Sequence, residues 1–282
     1  HPLFDTITGG TVKDIDFKRV NMVYPDSQAG DTIATIAARL KNKGVIENVN
    51  VQGYLEGRDH IAGLVNNIEG QSRVENVSFK GRIKSKGGNS VTGGIAGSNS
   101  MSLVKRAYVE ADIWVKSGQN AGMLVAQNFT DYSGSGWGNW GKLMQSVAKG
   151  KLEDAGSRNA AGIAASIWPY GTINDTVSYA TVVNGKELFS SDNEITDAWM
   201  GQKLQNLFGV QGHSSGTKIG KDAKFRRLTE AEAEQKVKSY RITALEETSA
   251  NEVTTEKLNA AILRTSTYQD KYVLGSDKAV HF

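Results

Sequence analysis

A small residue, a glycine and two or three apolar residues recur down the first two thirds of this chain. The copies are Ala62-Gly63-Leu64-Val65, Gly93-Gly94-Ile95-Ala96, Ala121-Gly122-Met123-Leu124 and Ala161-Gly162-Ile163-Ala164, with a degenerate one at Ala34-Thr35-Ile36-Ala37. Aligned on positions 35, 63, 94, 122 and 162, they lie 28, 31, 28 and 40 residues apart. A period near thirty describes one structural unit stacked on copies of itself, which excludes most folds at once.

A second phrase keeps the same period: an apolar residue, two polar residues, then alternating apolar positions. It reads Val12-Lys13-Asp14-Ile15-Asp16-Phe17, Ile46-Glu47-Asn48-Val49-Asn50-Val51 and Val74-Glu75-Asn76-Val77-Ser78-Phe79. Looser copies start at Val104, Met144 and Ile173, which makes about six units. Within a unit, Val, Ile, Tyr, Thr and Phe alternate with polar residues in short runs separated by Gly, Asn and Ser, so each unit holds about three strands and three corners. A propeller blade needs a longer period and a leucine-rich repeat a different lattice. The fold predicted is mainly β: a right-handed parallel β-helix of about six turns over residues 1–190, followed by an α-rich segment, 191–282, forming a small helical cap or domain. Asn48 and Asn76 share a repeat position and are expected to stack as an amide ladder at a corner.

The helical expectation rests on three stretches. Ser191-Asp192-Asn193-Glu194 reads as a capping box before Ile195, Trp199, Leu204 and Phe208, with Gly209 as terminator. Thr229-Glu230-Ala231-Glu232 is a second box, opening a helix through about Tyr240, and a third helix is expected over Thr255 to Arg264.

Composition narrows the function. The 282 residues contain 31 glycines, 3 prolines and no cysteine, which suits much paired backbone with many corners and excludes disulfides and thiolate metal sites. A net charge of +3 gives no case for nucleic acid, and no apolar run is long enough for a membrane helix. The chain opens on His1-Pro2, so it is expected to be an internal piece of a longer protein. None of the four histidines lies in a His-Glu-x-x-His pair, so no zinc peptidase helix is present. Acids on the repeat strands (Asp14, Asp16, Glu47, Glu75, Glu110, Asp112) read as a solvated outer face rather than a glycosidase pair. Lys80, Arg82, Lys84 and Lys86 form an alternating basic row that reads as outward charge or a face for an acidic partner.

The sharper candidate is a glycine- and aromatic-rich insertion, Asn128 to Trp140, in the 40-residue spacing. Tyr132, Trp137 and Trp140, with Trp168 and Tyr170 one unit later, are the candidate partner-binding residues, suited to peptide or sugar recognition. The alternative is a lid in which the tryptophans pack back on the solenoid.

Ala62-Gly63-Leu64-Val65, Gly93 to Gly97 and Val74 to Gly81 resemble the GLUG repeats of bacterial surface proteins. Their order ahead of the Ser191-Asp192-Asn193-Glu194 segment, and the ending Tyr272-Val273-Leu274-Gly275, resemble the non-catalytic region of streptococcal immunoglobulin A proteases, which are cell-wall-anchored zinc metalloendopeptidases. The resemblance implies an extracellular, cell-wall-associated segment with no cofactor of its own and zinc in the parent's peptidase domain. It implies as partner a host protein substrate, such as an immunoglobulin or glycoprotein, or the parent's own peptidase domain. The fragment alone is expected to be inactive. A host-binding adhesin module and a polysaccharide-degrading β-helix enzyme are the alternatives.

Overall fold

Alternation of apolar and polar residues, broken every few positions by a corner residue, makes each unit one rung of a coil. The computed structural model describes residues 2–24, 31–88, 90–116, 118–129, 141–155, 160–167, 171–185, 203–211, 225–243, 273–274 and 280–281. The first rung is β1 (Phe4–Thr8), β2 (Thr11–Val23) and β3 (Thr32–Ala34), and the second is β4 (Ala37–Lys41), β5 (Val45–Gly57) and β6 (His60–Ala62). The third is β7 (Val65–Ile68), β8 (Arg73–Ser85) and β9 (Ser90–Gly93), and the fourth β10 (Ala96–Ser100), β11 (Leu103–Val115) and β12 (Gly118–Gly122). The fifth divides its long strand: β13 (Val125–Phe129), β14 (Lys142–Met144), β15 (Val147–Asp154) and β16 (Ala160–Ala161). Then come β17 (Ala164–Ile167), β18 (Thr172–Val183), β19 (Lys203–Val210), β20 (Phe225–Leu228), the helix α1 (Glu230–Ser239), and a short antiparallel pair, β21 (Val273–Leu274) with β22 (Val280–His281).

Equivalent strands stack in parallel into three sheets. Sheet A runs β1-β4-β7-β10-β13-β17, and sheet C runs β3-β6-β9-β12-β16. Sheet B runs β2-β5-β8-β11, then β14 with β15, then β18-β19-β20. The parallel solenoid expected from the period is therefore present, with six strands in sheet A and five turns complete in all three sheets.

The second phrase owes its form to a corner. Asp14, Asn48, Asn76, Arg106, Gln145, Asp175 and Asn206 hold one position in successive sheet-B strands, and all are left-handed, with φ between 48° and 58°. Asn and Asp tolerate that region better than other non-glycine residues. The expected ladder forms there: Asn76 Nδ2 donates to Asn48 Oδ1 at 2.6 Å, and Asn48 Nδ2 donates to Asp14 Oδ1 at 2.9 Å. Beside it, Asn50 Nδ2 donates to Asp16 Oδ1 at 2.8 Å, and the Ser78 hydroxyl donates to Asn50.

The glycine phrase shifts by one residue in its third copy. The register stacks Ala34, Ala62, Gly93, Gly122 and Ala161, so Met123, not Gly122, continues the row of Gly63 and Gly94. The spacing across the insertion is thus 39 rather than 40, and the second phrase agrees, since Val104 pairs with Leu143 rather than Met144. A Cβ on Gly63 would meet the Gly94 carbonyl oxygen and the Phe79 ring, and one on Gly94 the Met123 carbonyl oxygen and the Val109 methyls, all under 3.0 Å. In the next rung the residue equivalent to Phe79 and Val109 is the smaller Ala148, and Met123 is fully buried. Gly122 is still crowded, since its Cβ would fall under 3.0 Å from the Val125 carbonyl oxygen. Ile36, Leu64, Ile95, Leu124 and Ile163 form the buried aliphatic row beside it.

Lys203–Val210 is a strand, not the end of a helix. Leu204-Gln205-Asn206-Leu207 repeats the corner phrase, with Ile173 paired to Leu204, Thr176 to Leu207, and Asn206 at φ 51°. Strand pairing on both sides, with β18 and β20, outweighs the helical spacing of Leu204 and Phe208. The capping box at 191–194 and the stretch 255–264 lie outside the described residues. The helix opened by Thr229 is present as α1. The Thr229 hydroxyl accepts from Glu232 N, and Glu232 Oε2 accepts from Thr229 N at 2.8 Å.

α1 lies on the outer flank of sheet B. The row outside the corner is polar in the early turns (Asp16, Asn50, Ser78) and apolar later (Tyr108, Val147, Val177, Phe208). Ala233, Val237 and Tyr240 close over the apolar part. The Tyr240 hydroxyl lies 3.2 Å from Asp175 Oδ1, Lys236 Nζ lies 2.6 Å from the same oxygen, and Thr243 Oγ1 meets Asn76 Nδ2 at 2.6 Å.

Candidate functional site

Tyr132, Trp137, Trp140, Trp168 and Tyr170 all lie outside the described residues. The described flanks fix only where the insertion leaves the coil: after β13 in sheet A and before β14 in sheet B. Asn128, read from sequence as its first residue, is the interior end of β13. It is fully buried, stacked on Asn99 (2.8 Å), and donates to the carbonyls of Gly141 and Thr172.

Among the described residues, the outer face of sheet B beyond the corner carries the richest chemistry. Strand alternation sends every second residue outward, and the parallel register stacks these into three rows. They run Gln52, Lys80, Glu110, Lys149; then Tyr54, Arg82, Asp112, Lys151; then Glu56, Lys84, Trp114, Glu153. A groove of about 680 Å³ crosses them, lined by Gln52, Tyr54, Lys80, Arg82, Lys84, Asp112 and Trp114. The basic row read from sequence is thus divided: three of its members share this groove, while Lys86 forms an ion pair with Glu56.

Charge in the groove is unbalanced because the neighbouring acids have other partners. Glu110 pairs with Lys149 at 3.0 Å and accepts from the Tyr108 hydroxyl at 3.1 Å. The Lys86 ammonium and the Tyr54 hydroxyl, both bonded to Glu56, hold its carboxyl below the usual range. Burial, and then the bond to Glu56, pushes the Tyr54 phenol up to about 12. Arg82 keeps only a loose contact with Asp112, at 3.9 Å between exposed groups, and Lys84 lies 5.8 Å over the Trp114 ring. Sequence reading found the cations but missed Tyr54 and Trp114. The signal was the repeat alignment itself, which puts 54 beside 82 and 112, and 114 beside 84.

The acids divide as well. Glu110, Asp112 and Glu47 are on the outer face as expected. Asp16 and Glu75 are covered, and Glu75 is surrounded by Arg73 Nε (3.6 Å), Lys105 Nζ (3.7 Å) and Arg106 Nη2 (2.8 Å). Glu47, the register neighbour of Glu75, shares Arg73 with it at 3.3 Å, so both carboxylates are held in ion pairs. A smaller polar groove, about 370 Å³, lies between the outer faces of sheets A and C and holds Asp5, Asp31, Arg39, His60, Asn66 and Asn67. The described residues contain no cluster of three His, Cys, Asp or Glu able to hold a metal, so no step through zinc is derived from them.

The comparisons place this architecture. Residues 1–53 match the profile described as the M26 IgA1-specific metallo-endopeptidase N-terminal region. Over 249 residues, 86% of the chain, it is 37% identical to the zinc metalloprotease ZmpB of Streptococcus pneumoniae. The chain corresponds to a segment of the IgA1-protease-like zinc metalloproteases. The immunoglobulin A1 protease of Streptococcus sanguinis is 41% identical over 83 residues, 29% of the chain. A solved IgA1 protease structure superposes with a TM-score of 0.64 over 85% of the chain and 19% of its own, at 18% identity, which bears on the fold. The chain spans 13% of ZmpB and 4% of the S. sanguinis protease. None of the described helices is long and apolar enough to cross a membrane.

Proposed function

We propose that this segment is a non-catalytic β-solenoid module of a secreted, cell-wall-associated zinc metalloendopeptidase. It positions a host protein substrate for the peptidase domain or sets that domain's distance from the cell surface. The zinc belongs to the peptidase domain elsewhere in the parent protein. The observation that carries this reading is where the side chains go. Acids of the described solenoid such as Glu75, Glu110 and Glu56 pair with bases of neighbouring rungs, and its amides bind corners and carbonyls. They do not converge on a reacting centre. A rod of stacked rungs is stiff and presents long, regular faces, which suits holding and spacing.

The test is kinetic. The parent protease with this segment removed is compared with the intact enzyme on a full-length protein substrate and on a short peptide substrate. A positioning role predicts a raised KM for the protein, with kcat and the short-peptide rate nearly unchanged. Equal loss on both substrates contradicts positioning. The adhesin reading is favoured by one feature, the unbalanced groove on sheet B. It predicts capture of a host protein by the isolated segment with no effect of its removal on proteolysis.

A further inference from the structure

We infer that the sheet-B groove is a docking site for an extended acidic peptide segment, with carboxylates at alternate positions. Lys80, Arg82 and Lys84 stand on one strand at every second residue, so their stems are about 6.6 Å apart at the strand rise of about 3.3 Å per residue. An extended peptide lying along β8 has the same spacing between side chains on one face. Carboxylates at alternating positions therefore meet three cations in register.

The cations are in surplus for a structural reason. In each rung the adjacent carboxylate is engaged elsewhere: Glu110 by Lys149 and Tyr108, and Glu56 by Lys86 and Tyr54. Among the described residues Lys80 and Lys84 have no ion pair within 4.0 Å, feeling Glu110 and Glu56 only from farther off, and Arg82 has only the long contact with Asp112. Against the three positive charges the groove holds one carboxylate, Asp112. Trp114 and Tyr54 stand on the neighbouring strands to either side of β8 and supply apolar walls for the peptide's methylene groups. The face is open along the strand, as an extended chain requires. This inference stands apart from the peptidase, because binding is measured on the segment alone.

The test uses the whole chain and a fluorescein-labelled hexapeptide of alternating Glu and Thr, read by fluorescence anisotropy. The Gln-Thr analogue should bind ~10-fold or more weakly, and added salt should weaken the acidic peptide. Combining Lys80→Gln, Arg82→Gln and Lys84→Gln should abolish binding, and Trp114→Ala should weaken it several-fold, with melting temperatures kept because these side chains lie outside the core. Equal affinity for the Gln-Thr peptide overturns the inference. So does unchanged affinity in the triple variant, or no binding of the acidic peptide at millimolar concentration. Stronger binding of an acidic polysaccharide or of anionic lipid vesicles, lost in the same triple variant, also overturns the peptide as occupant.

Discussion

Two residue types do most of the shaping, and both act where the backbone leaves ordinary strand geometry. The corner amides accept left-handed φ and bond to the rung above or below. Asn48 does both, donating to Asp14 and accepting from Asn76. Asn48→Ala removes both bonds and puts a methyl side chain at φ 55°, so it should cost about 2–3 kcal/mol in urea unfolding. Asn48→Gly loses the same bonds without the backbone strain and should cost less. Equal losses would mean that the conformation contributes nothing. The crowded glycines act by exclusion. Gly122→Val drives side-chain atoms against the Val125 carbonyl and should destabilise by about 3 kcal/mol or more. A variant with unchanged unfolding free energy would contradict the crowding at this corner.

At the scale of elements, α1 is held by its own cap and by tyrosines that are best kept neutral. Thr229→Ala breaks the capping box and should cost about 1 kcal/mol. Tyr240, Tyr108 and Tyr179 have phenols raised above 10.0, first by burial and then by nearby carboxylates, with Tyr179 pushed up to about 12. A raised phenol favours the neutral form in the folded chain. Its contribution is therefore complete below pH 10 and is lost as pH climbs through the folded value. Stability should fall from about pH 10 upward. Tyr240→Phe should be about 1 kcal/mol less stable at pH 8, having lost the bond to Asp175, yet flatter above pH 10. Parallel pH curves for the two proteins would show that α1 docking is not governed by this phenol.

The whole molecule shows what a periodic sequence reveals and what it hides. The solenoid, the corner ladder at Asn48 and Asn76, and the helix opened by Thr229 were legible because each rests on local residue chemistry; about six turns were expected, and five are complete in all three sheets. The shift at Met123 was not, because it appears only in the strand register, where Gly122 stacks on Gly93 and Ala161. The strand at Lys203–Val210 was hidden by a competing helical spacing, although Gln205-Asn206-Leu207 carries the corner phrase. The sheet-B groove was half legible. Its cations alternate along one strand, but Tyr54 and Trp114 join them only once the rungs are stacked.

The whole fold rests on that stacking, with its 39-residue rung across the insertion. The chain has no cysteine, so paired cysteines report register without interference. Glu110 and Lys149 are register partners across that rung. Parallel neighbours are about 4.8 Å apart, within reach of a disulfide. Under mild oxidation, the Glu110→Cys and Lys149→Cys pair should crosslink readily, and Glu110→Cys with Lys151→Cys should not. Preferential crosslinking of the second pair, or of neither, would contradict the stacked register on which the account depends.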